Sequence, residues 1–326
     1  MAQFRPDIGM RLCIGGKYFE FVPHPLFTQD TEAVFVVEGG EALTYQVRSA
    51  MTKRCYALKV MKPAFRGEHI ARTTEIAKHS ARIPGFFLPD RICLTKTAYP
   101  DLIKAYPDLE YAVLMPWLTG KTWSELMLDQ AASARYTLQQ ACALAATVAG
   151  LLCHLESFNL AHADIAGRNV FLSADLQRLQ LLDIEGLYIP DVPPPPSCSQ
   201  GSPGYQHRRL GPQGQWCPEG DRFAGAILLT EILTWWNPYV RAHVADHAEM
   251  LFQPTELQTD GSPCWSKVRD TLWSIHPNLL TLFDQAWFSA SLAECPDLTS
   301  WYSTLVLYLT YKPSQAYKKP SKNRRS

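Results

Sequence analysis

The 326-residue sequence predicts an α+β fold of two lobes, a small antiparallel β-sheet lobe followed by a larger, mostly helical one. Three observations carry this. Runs rich in branched and aromatic residues fill the first third, apolar residues return at helical spacing from residue 136 onward, and Pro116 with the nearby Gly120 breaks the chain between the two regimes.

In chain order, residues 1–29 read as an N-terminal extension, 30–115 as the small lobe, 116–311 as the large lobe and 312–326 as a basic disordered tail. Residues 34–47 (VFVVEGGEALTYQV) and 56–61 (YALKVM) read as strands, with Gly39 and Gly40 breaking the first stretch. YAVLMPWLTGKTW adds an apolar strand halted at Pro116, because proline cannot donate to a ladder. Residues 136–156 (YTLQQACALAATVAGLLCHLE) carry Leu and Ala at helical spacing without a breaker, so a long buried helix is expected. Residues 221–235 form a second helix. Between the two helices lie the loop LAHADIAGRNVFL, the strand and turn LQLLDIEGLYIP, and the Pro193–Pro196 run.

Composition narrows the function classes. Hydrophobic residues make up 47% of the chain, enough for a sizeable core, and the formal net charge is zero, which recommends neither nucleic acid nor a membrane surface as partner. No long apolar segment follows a positive start, and AGAILLTEILTWW is too short and is interrupted by Glu231. Neither a signal peptide nor a membrane span is therefore expected. The nine cysteines never form a C-x-x-C pair, which points to a reducing cytoplasm and away from structural zinc.

The chemistry sits in a few polar residues. Phosphoryl transfer from ATP requires a cation on the phosphates, oxygen ligands for Mg²⁺ and a base near the incoming hydroxyl. Lys59 lies in a strand, Asp164 and Asn169 share one loop, and Asp183 ends an apolar strand. Alone, Lys59 would be an ordinary strand lysine, and Asn169 a turn residue.

Taken in order, these segments resemble the protein-kinase superfamily. YALKVMK resembles the V-A-I-K strand, HADIAGRNV the H-R-D-L-x-x-x-N loop, and LLDIEG the D-F-G segment. GSPGY resembles the end of an activation segment, DRFAGAILLTEIL the Asp-headed large-lobe helix, and CPDLTSWYSTL the start of the terminal helix. The resemblance spans residues 30–311 and implies a bilobal protein-kinase-like fold with ATP and Mg²⁺ as cofactors. It implies that Lys59 binds phosphate, that Asp164 is the catalytic base, and that Asn169 and Asp183 hold the metal. Arg168, in a loop similar to the D-L-A-A-R-N of tyrosine kinases, becomes the γ-phosphate cation. Glu75, in preference to Glu68, becomes the partner of Lys59. Met115 limits the adenine pocket, and the Pro116 carbonyl and Leu118 amide serve as its hinge. Asp221 is implied to accept amide hydrogen bonds from the catalytic loop, and His162 to be structural.

The departures shape the expectation. The glycine loop keeps only Gly39 and Gly40, and Ala163 replaces the arginine that reads a phosphorylated activation loop. The usual Glu–Arg anchor of the activation segment is absent, with Arg209 and Cys295 at those places, so an Arg208 or Arg209 pair with Glu294 is expected instead. Ser197, Ser199 and Ser202 are either regulatory phosphosites or polar loop residues. GSPGY resembles Ser/Thr kinases, so the implied activity is transfer of the γ-phosphate to a Ser/Thr hydroxyl of a protein substrate. Two readings stand beside it. One is a pseudokinase scaffold. The other is an aminoglycoside- or choline-type phosphotransferase, suggested by the second carboxylate, Glu185, of DIEG. DIEGLYIP and GSPGYQH also resemble bacterial kinases found in tellurite-resistance-type systems. That resemblance implies a metal-dependent phosphatase and a von Willebrand A-domain protein as partners.

Overall fold

The computed structural model describes residues 4–23, 33–79, 91–173, 176, 179–195, 198–244 and 249–311. The basic segment 312–326, Pro196 and Ser197 lie outside these residues. The reading of residues 1–29 as an extension is corrected by the first element. Strands β1 (Arg11–Ile14) and β2 (Lys17–Phe21) form an antiparallel hairpin that belongs to the small-lobe sheet. Gly15 and Gly16 both take positive φ, 57° and 73°, as a two-residue turn matched to strand twist requires. Leu12, Ile14, Phe19 and Phe21 alternate into the core, and Tyr45 Oη donates to the Phe4 carbonyl at 2.9 Å.

Strand β3 (Val36–Glu38) and β2 share one partner, β4 (Ala42–Ser49). β2 takes one half through Phe21↔Val47 and β3 the other through Val36↔Tyr45. β5 (Cys55–Met61), α1 (Glu68–His79), β6 (Ile92–Cys93), α2 (Pro100–Ala105) and β7 (Val113–Pro116) complete the lobe. The sheet order is β1-β2-β4-β5-β7-β6 with β3 beside β4. β5 is central and covered on both faces. Leu58 and Val60 join the core with the hairpin, while Met61 packs in a cluster with Ile70 of α1. The opposite alternation leaves Ala57 and Lys59 lining the cleft.

After β7 come β8 (Lys121–Thr122), α3 (Trp123–Leu128), α4 (Gln130–Arg135) and α5 (Leu138–Ser157). α3 and α5 both start with a capping box, Thr122 with Glu125 and Thr137 with Gln140, which satisfies their first amide groups. α5 is the one described helix long and apolar enough to cross a membrane, and more than half of that stretch is buried inside the lobe. β9 (Val170–Leu172) pairs with β8 on one side and β10 (Leu179–Leu181) on the other, in a three-stranded sheet of order β10-β9-β8. α6 (Asp221–Thr234) is buried at every position except Arg222 and forms the axis of the lobe. α7 (Pro238–Arg241), α8 (Pro263–Ile275), α9 (Pro277–Phe288) and α10 (Leu298–Thr310) complete the chain, with α5, α8 and α9 packed on α6.

Candidate active site

Between the lobes lies a cavity of about 180 Å³ lined by Thr44, Ala57, Met115, Trp117, Phe171 and Leu181, with Lys59 and Asp183 also on its wall. The space suits a planar base better than a large ligand. Its rim follows from strand alternation. Met115 pairs with Ala57 of β5, and the Trp117 amide donates to the Cys55 carbonyl at 3.1 Å. The backbone groups of the alternate residues Pro116 and Leu118 therefore turn away from β5, and both residues line the cavity. Gly39 and Gly40 instead form the tight turn between β3 and β4, where the Gly39 amide donates to the Ala42 carbonyl at 2.9 Å, and neither lines the cavity.

Lys59 is buried, and its Nζ donates to Asp183 Oδ1 at 2.7 Å and to Glu185 Oε2 at 2.8 Å. Glu185 Oε1 in turn accepts from Arg91 Nη2 at 2.5 Å. Burial pushes the Lys59 ammonium down, but Glu185 and then Asp183 raise it above its ordinary range. Burial pushes the Glu185 carboxyl up, and Lys59 and Arg91 reverse this and hold it well below the usual carboxylate range. The expected Lys59–Glu75 pair is thereby corrected. Glu75 is exposed on α1, and the carboxylates on Lys59 come from the segment after β10. The local reason is backbone shape. Asp183 takes a left-handed conformation, φ 54° and ψ 45°, and leads into a 3₁₀ turn over Ile184–Gly186. Aspartate tolerates that region better than most residues.

The residues of the loop 162–169 converge on Asp164. Asn169 Nδ2 donates to the Asp164 carbonyl at 2.8 Å and to its Oδ2 at 3.3 Å. Ser202 Oγ donates to Oδ1 at 2.7 Å, and Arg168 Nη2 lies 3.8 Å from Oδ2 with most of its side chain exposed. Asp221 fixes the loop by accepting from the His162 amide at 2.6 Å and the Ala163 amide at 2.9 Å, which holds Ala163 at φ 63°. His162 is a structural residue, with Nε2 2.6 Å from the Leu182 carbonyl. The Leu182 amide donates to the Asn169 carbonyl at 2.8 Å, so the loop and the Asp183 segment are tied together.

The donor set fits Mg²⁺. With Nδ2 of Asn169 engaged on Asp164, its Oδ1 is an acceptor. The Asp183 carboxylate is largely exposed, and only Oδ1 is on Lys59. Among the described residues no three His, Cys, Asp or Glu side chains form a metal-holding group. A magnesium ion here would take Asn169 and Asp183 as its protein ligands, with phosphate and water oxygens as the rest, which is its usual manner of binding.

The expected Arg208 or Arg209 pair with Glu294 is corrected, because Arg208 pairs with Asp260 instead. Arg208 lies 3.3 Å from Asp260 and donates to the Trp287 carbonyl, while Glu294 accepts from the Ala290 amide at 3.1 Å. A second anchor is His207, whose Nε2 is 3.0 Å from Ser289 Oγ, itself 3.1 Å from Cys295 Sγ. Sequence reasoning also missed Arg91, Thr44 and Phe171. The second carboxylate of DIEG was the signal for the Glu185 cluster.

No protein-family model matches the sequence, and no curated protein matches it. Among solved structures the chain is similar to the PknI kinase domain of Mycobacterium tuberculosis, solved as a double mutant. The identity is 18% and the TM-score 0.53, over 94% of this chain and 98% of that one. The fold is the bilobal protein-kinase fold.

Proposed function

We propose that this protein is an ATP- and Mg²⁺-dependent protein kinase that transfers the γ-phosphate to a Ser/Thr hydroxyl of a protein substrate. One observation carries the reading: Lys59, Asp183, Asn169 and Asp164 meet in one cleft beside a base-sized apolar cavity. The Pro116 carbonyl and Leu118 amide bind the base edge, and Lys59 neutralises phosphate charge. Asn169 and Asp183 would hold magnesium, which when bound would supply charge neutralisation on the phosphate oxygens.

Asp164 orients the acceptor hydroxyl and takes its proton as the oxygen bonds to the γ-phosphorus and the β–γ bridging oxygen leaves with ADP. The Ser202 hydroxyl, which donates to Asp164 Oδ1, gives the geometry in which an alcohol meets this carboxylate. Arg168 adds positive charge at the same carboxylate. Glu185, which suggested a small-molecule phosphotransferase, is buried on Lys59 and Arg91, and this supports the protein-kinase reading over that alternative.

The test is γ-phosphate transfer from labelled ATP to the chain itself and to generic protein substrates, with phosphoamino-acid analysis. Label on serine or threonine that disappears in Asp164→Asn is the expected result. Label that persists in that variant overturns the assignment of the base, and nucleotide binding without transfer to any acceptor overturns the kinase reading in favour of a pseudokinase.

A further inference from the structure

The cluster of Lys59, Glu185 and Arg91 joins three separate parts of the chain: the central strand β5, the turn after β10 and the residue before β6. The two Glu185 oxygens are divided. Oε2 accepts from Lys59 at 2.8 Å and Oε1 from Arg91 at 2.5 Å, with all three side chains no more than 6% exposed. Asp183, the other partner of Lys59, is 59% exposed and lies where magnesium is expected. Were Asp183 to turn to a metal ion, Glu185 would remain as the buried partner of Lys59. Glu185 cannot follow the lysine outward because Arg91 holds its other oxygen.

Helix α1 makes a different contribution. Its Glu68 is exposed and lies 3.5 Å from Arg72 on the same helix, and Glu75 is exposed as well. The helix reaches the cluster through Thr73, whose Oγ1 bonds the His69 carbonyl at 2.8 Å and lies 3.5 Å from the Glu185 carbonyl. Thus α1 supports the backbone of the turn, while the turn itself supplies the charge.

We infer that Glu185, braced by Arg91, is the residue that positions Lys59 for the nucleotide phosphates, so that the phosphate-binding lysine is set by the Asp183 segment and not by a carboxylate on α1. This deepens the proposed function and rests on it for the identity of the ligand. Its consequence concerns regulation. Displacing α1 leaves the Lys59 contact intact, whereas displacing the Asp183–Gly186 turn removes the metal carboxylate and the lysine anchor together. Burying one carboxylate between two cations is unfavourable unless each charge is met. Loss of Glu185 leaves Lys59 and Arg91 facing each other with their shared counter-charge gone.

The test is a double-mutant cycle read by calorimetric binding of a non-hydrolysable ATP analogue with Mg²⁺ to the full chain, so that no turnover is required. Glu185→Gln is expected to weaken binding roughly 10-fold or more, the scale seen when a supporting residue of a charged site is removed. Lys59→Met should weaken it comparably, and the double variant no more than Lys59→Met alone, since Glu185 acts through the lysine. Glu185→Asp should recover part of the loss, and Glu75→Gln should stay within about twofold of the parent chain. Should Glu185→Gln fail to fold, the cycle is run in an Arg91→Leu background, which removes the stranded cation.

Multiplying effects of the two substitutions overturn the inference, as does parent-like binding by Glu185→Gln or a loss confined to Glu75→Gln. A parent chain that binds the analogue, shows the coupling and transfers no phosphate overturns the kinase reading while leaving the role of Glu185 established.

Discussion

His207 Nε2 lies 3.0 Å from Ser289 Oγ and joins the activation segment to the end of α9. Ser289 donates its own proton to the Ala286 carbonyl at 2.7 Å, and the Arg209 amide donates to His207 Nδ1 at 3.0 Å. The Arg209 carbonyl lies at the same distance, 3.0 Å, from Nδ1, so the ring finds partners in either neutral tautomer. Burial pushes the His207 pKa down, the hydrogen bonds with Arg209 and Ser289 oppose this, and the Arg208 and Arg209 charges add to the lowering, so that the net direction is down.

This anchor is expected to weaken in acid. A histidine kept neutral in the folded state takes up its proton more readily when unfolded, so the stability it contributes is present above the ordinary histidine pKa, about 6.5. It is lost as pH falls through the window between that value and the lowered folded one. Denaturant unfolding at pH 7.5 and pH 5.5 should show the parent chain losing more stability than His207→Gln, whose amide can still donate to Ser289. An equal loss in both would place the acid sensitivity elsewhere.

Ser202 occupies the carboxylate oxygen of Asp164 at 2.7 Å, and the residue is buried. Its hydroxyl fixes the rotamer of Asp164, the proposed base, and links it to the segment that carries Ser202. Ser202→Ala should lower kcat about 10-fold with a smaller change in KM for ATP, because the nucleotide cavity is untouched. Ser202→Thr keeps the hydroxyl and should keep most of the rate. Steady-state kinetics of the three chains check this, and a Ser202→Ala chain with parent kcat would refute it.

Asp221 makes two hydrogen bonds, to the His162 and Ala163 amides. Asp221→Ala leaves both donors without their acceptor in a buried loop that carries the left-handed Ala163, at a cost of about 2–4 kcal/mol. Thermal and denaturant unfolding give the stability, and phosphate transfer should fall with it because Asp164 follows Ala163 directly. Asp221→Asn, which retains one acceptor oxygen, should lie between the two.

Much of this was legible from the sequence, for a physical reason. Lys59, Asp164, Asn169 and Asp183 each sit in a short strand or tight loop, and it is the ordered series of motifs that the sequence resembles, not the spacing of any one of them, that singles them out. α5 and α6 announced themselves through apolar spacing because they are buried. The Lys59 partner was not legible, since a helix such as α1 offers several carboxylates and spacing alone cannot say which one reaches across a cleft. The β1–β2 hairpin did carry its signal, in alternating Leu12, Ile14, Phe19 and Phe21 around Gly15-Gly16, but it lies upstream of the recognisable motifs. The His207–Ser289–Cys295 anchor spans more than 80 residues through neutral groups, and a search for opposite charges passes over it.

Glu231 on α6 is fully buried and accepts three hydrogen bonds: from Trp123 Nε1 at 2.6 Å, Tyr205 Oη at 2.8 Å and the Leu251 amide at 2.6 Å. It thus gathers α3, the activation segment and the loop after α7 onto the central helix. Burial raises its carboxyl to about 7, against the lowering effect of the three donors. An acid with a raised folded pKa holds its proton in the native state after the unfolded chain has released it. Stability is then greatest below the unfolded value near 4.5 and declines as pH climbs toward 7, by an amount on the order of 3 kcal/mol. Glu231→Gln cannot titrate. Relative to this variant, the parent chain should lose stability between pH 5 and 7 and change little above it, in the opposite direction to the His207 effect. The Gln amide group also turns a donor toward a place where Glu231 offered an acceptor, a mismatch of about 1–3 kcal/mol at every pH. A difference between the two chains that stays constant from pH 5 to 8 would mean that Glu231 keeps its charge throughout, with its three donors outweighing the cost of burial.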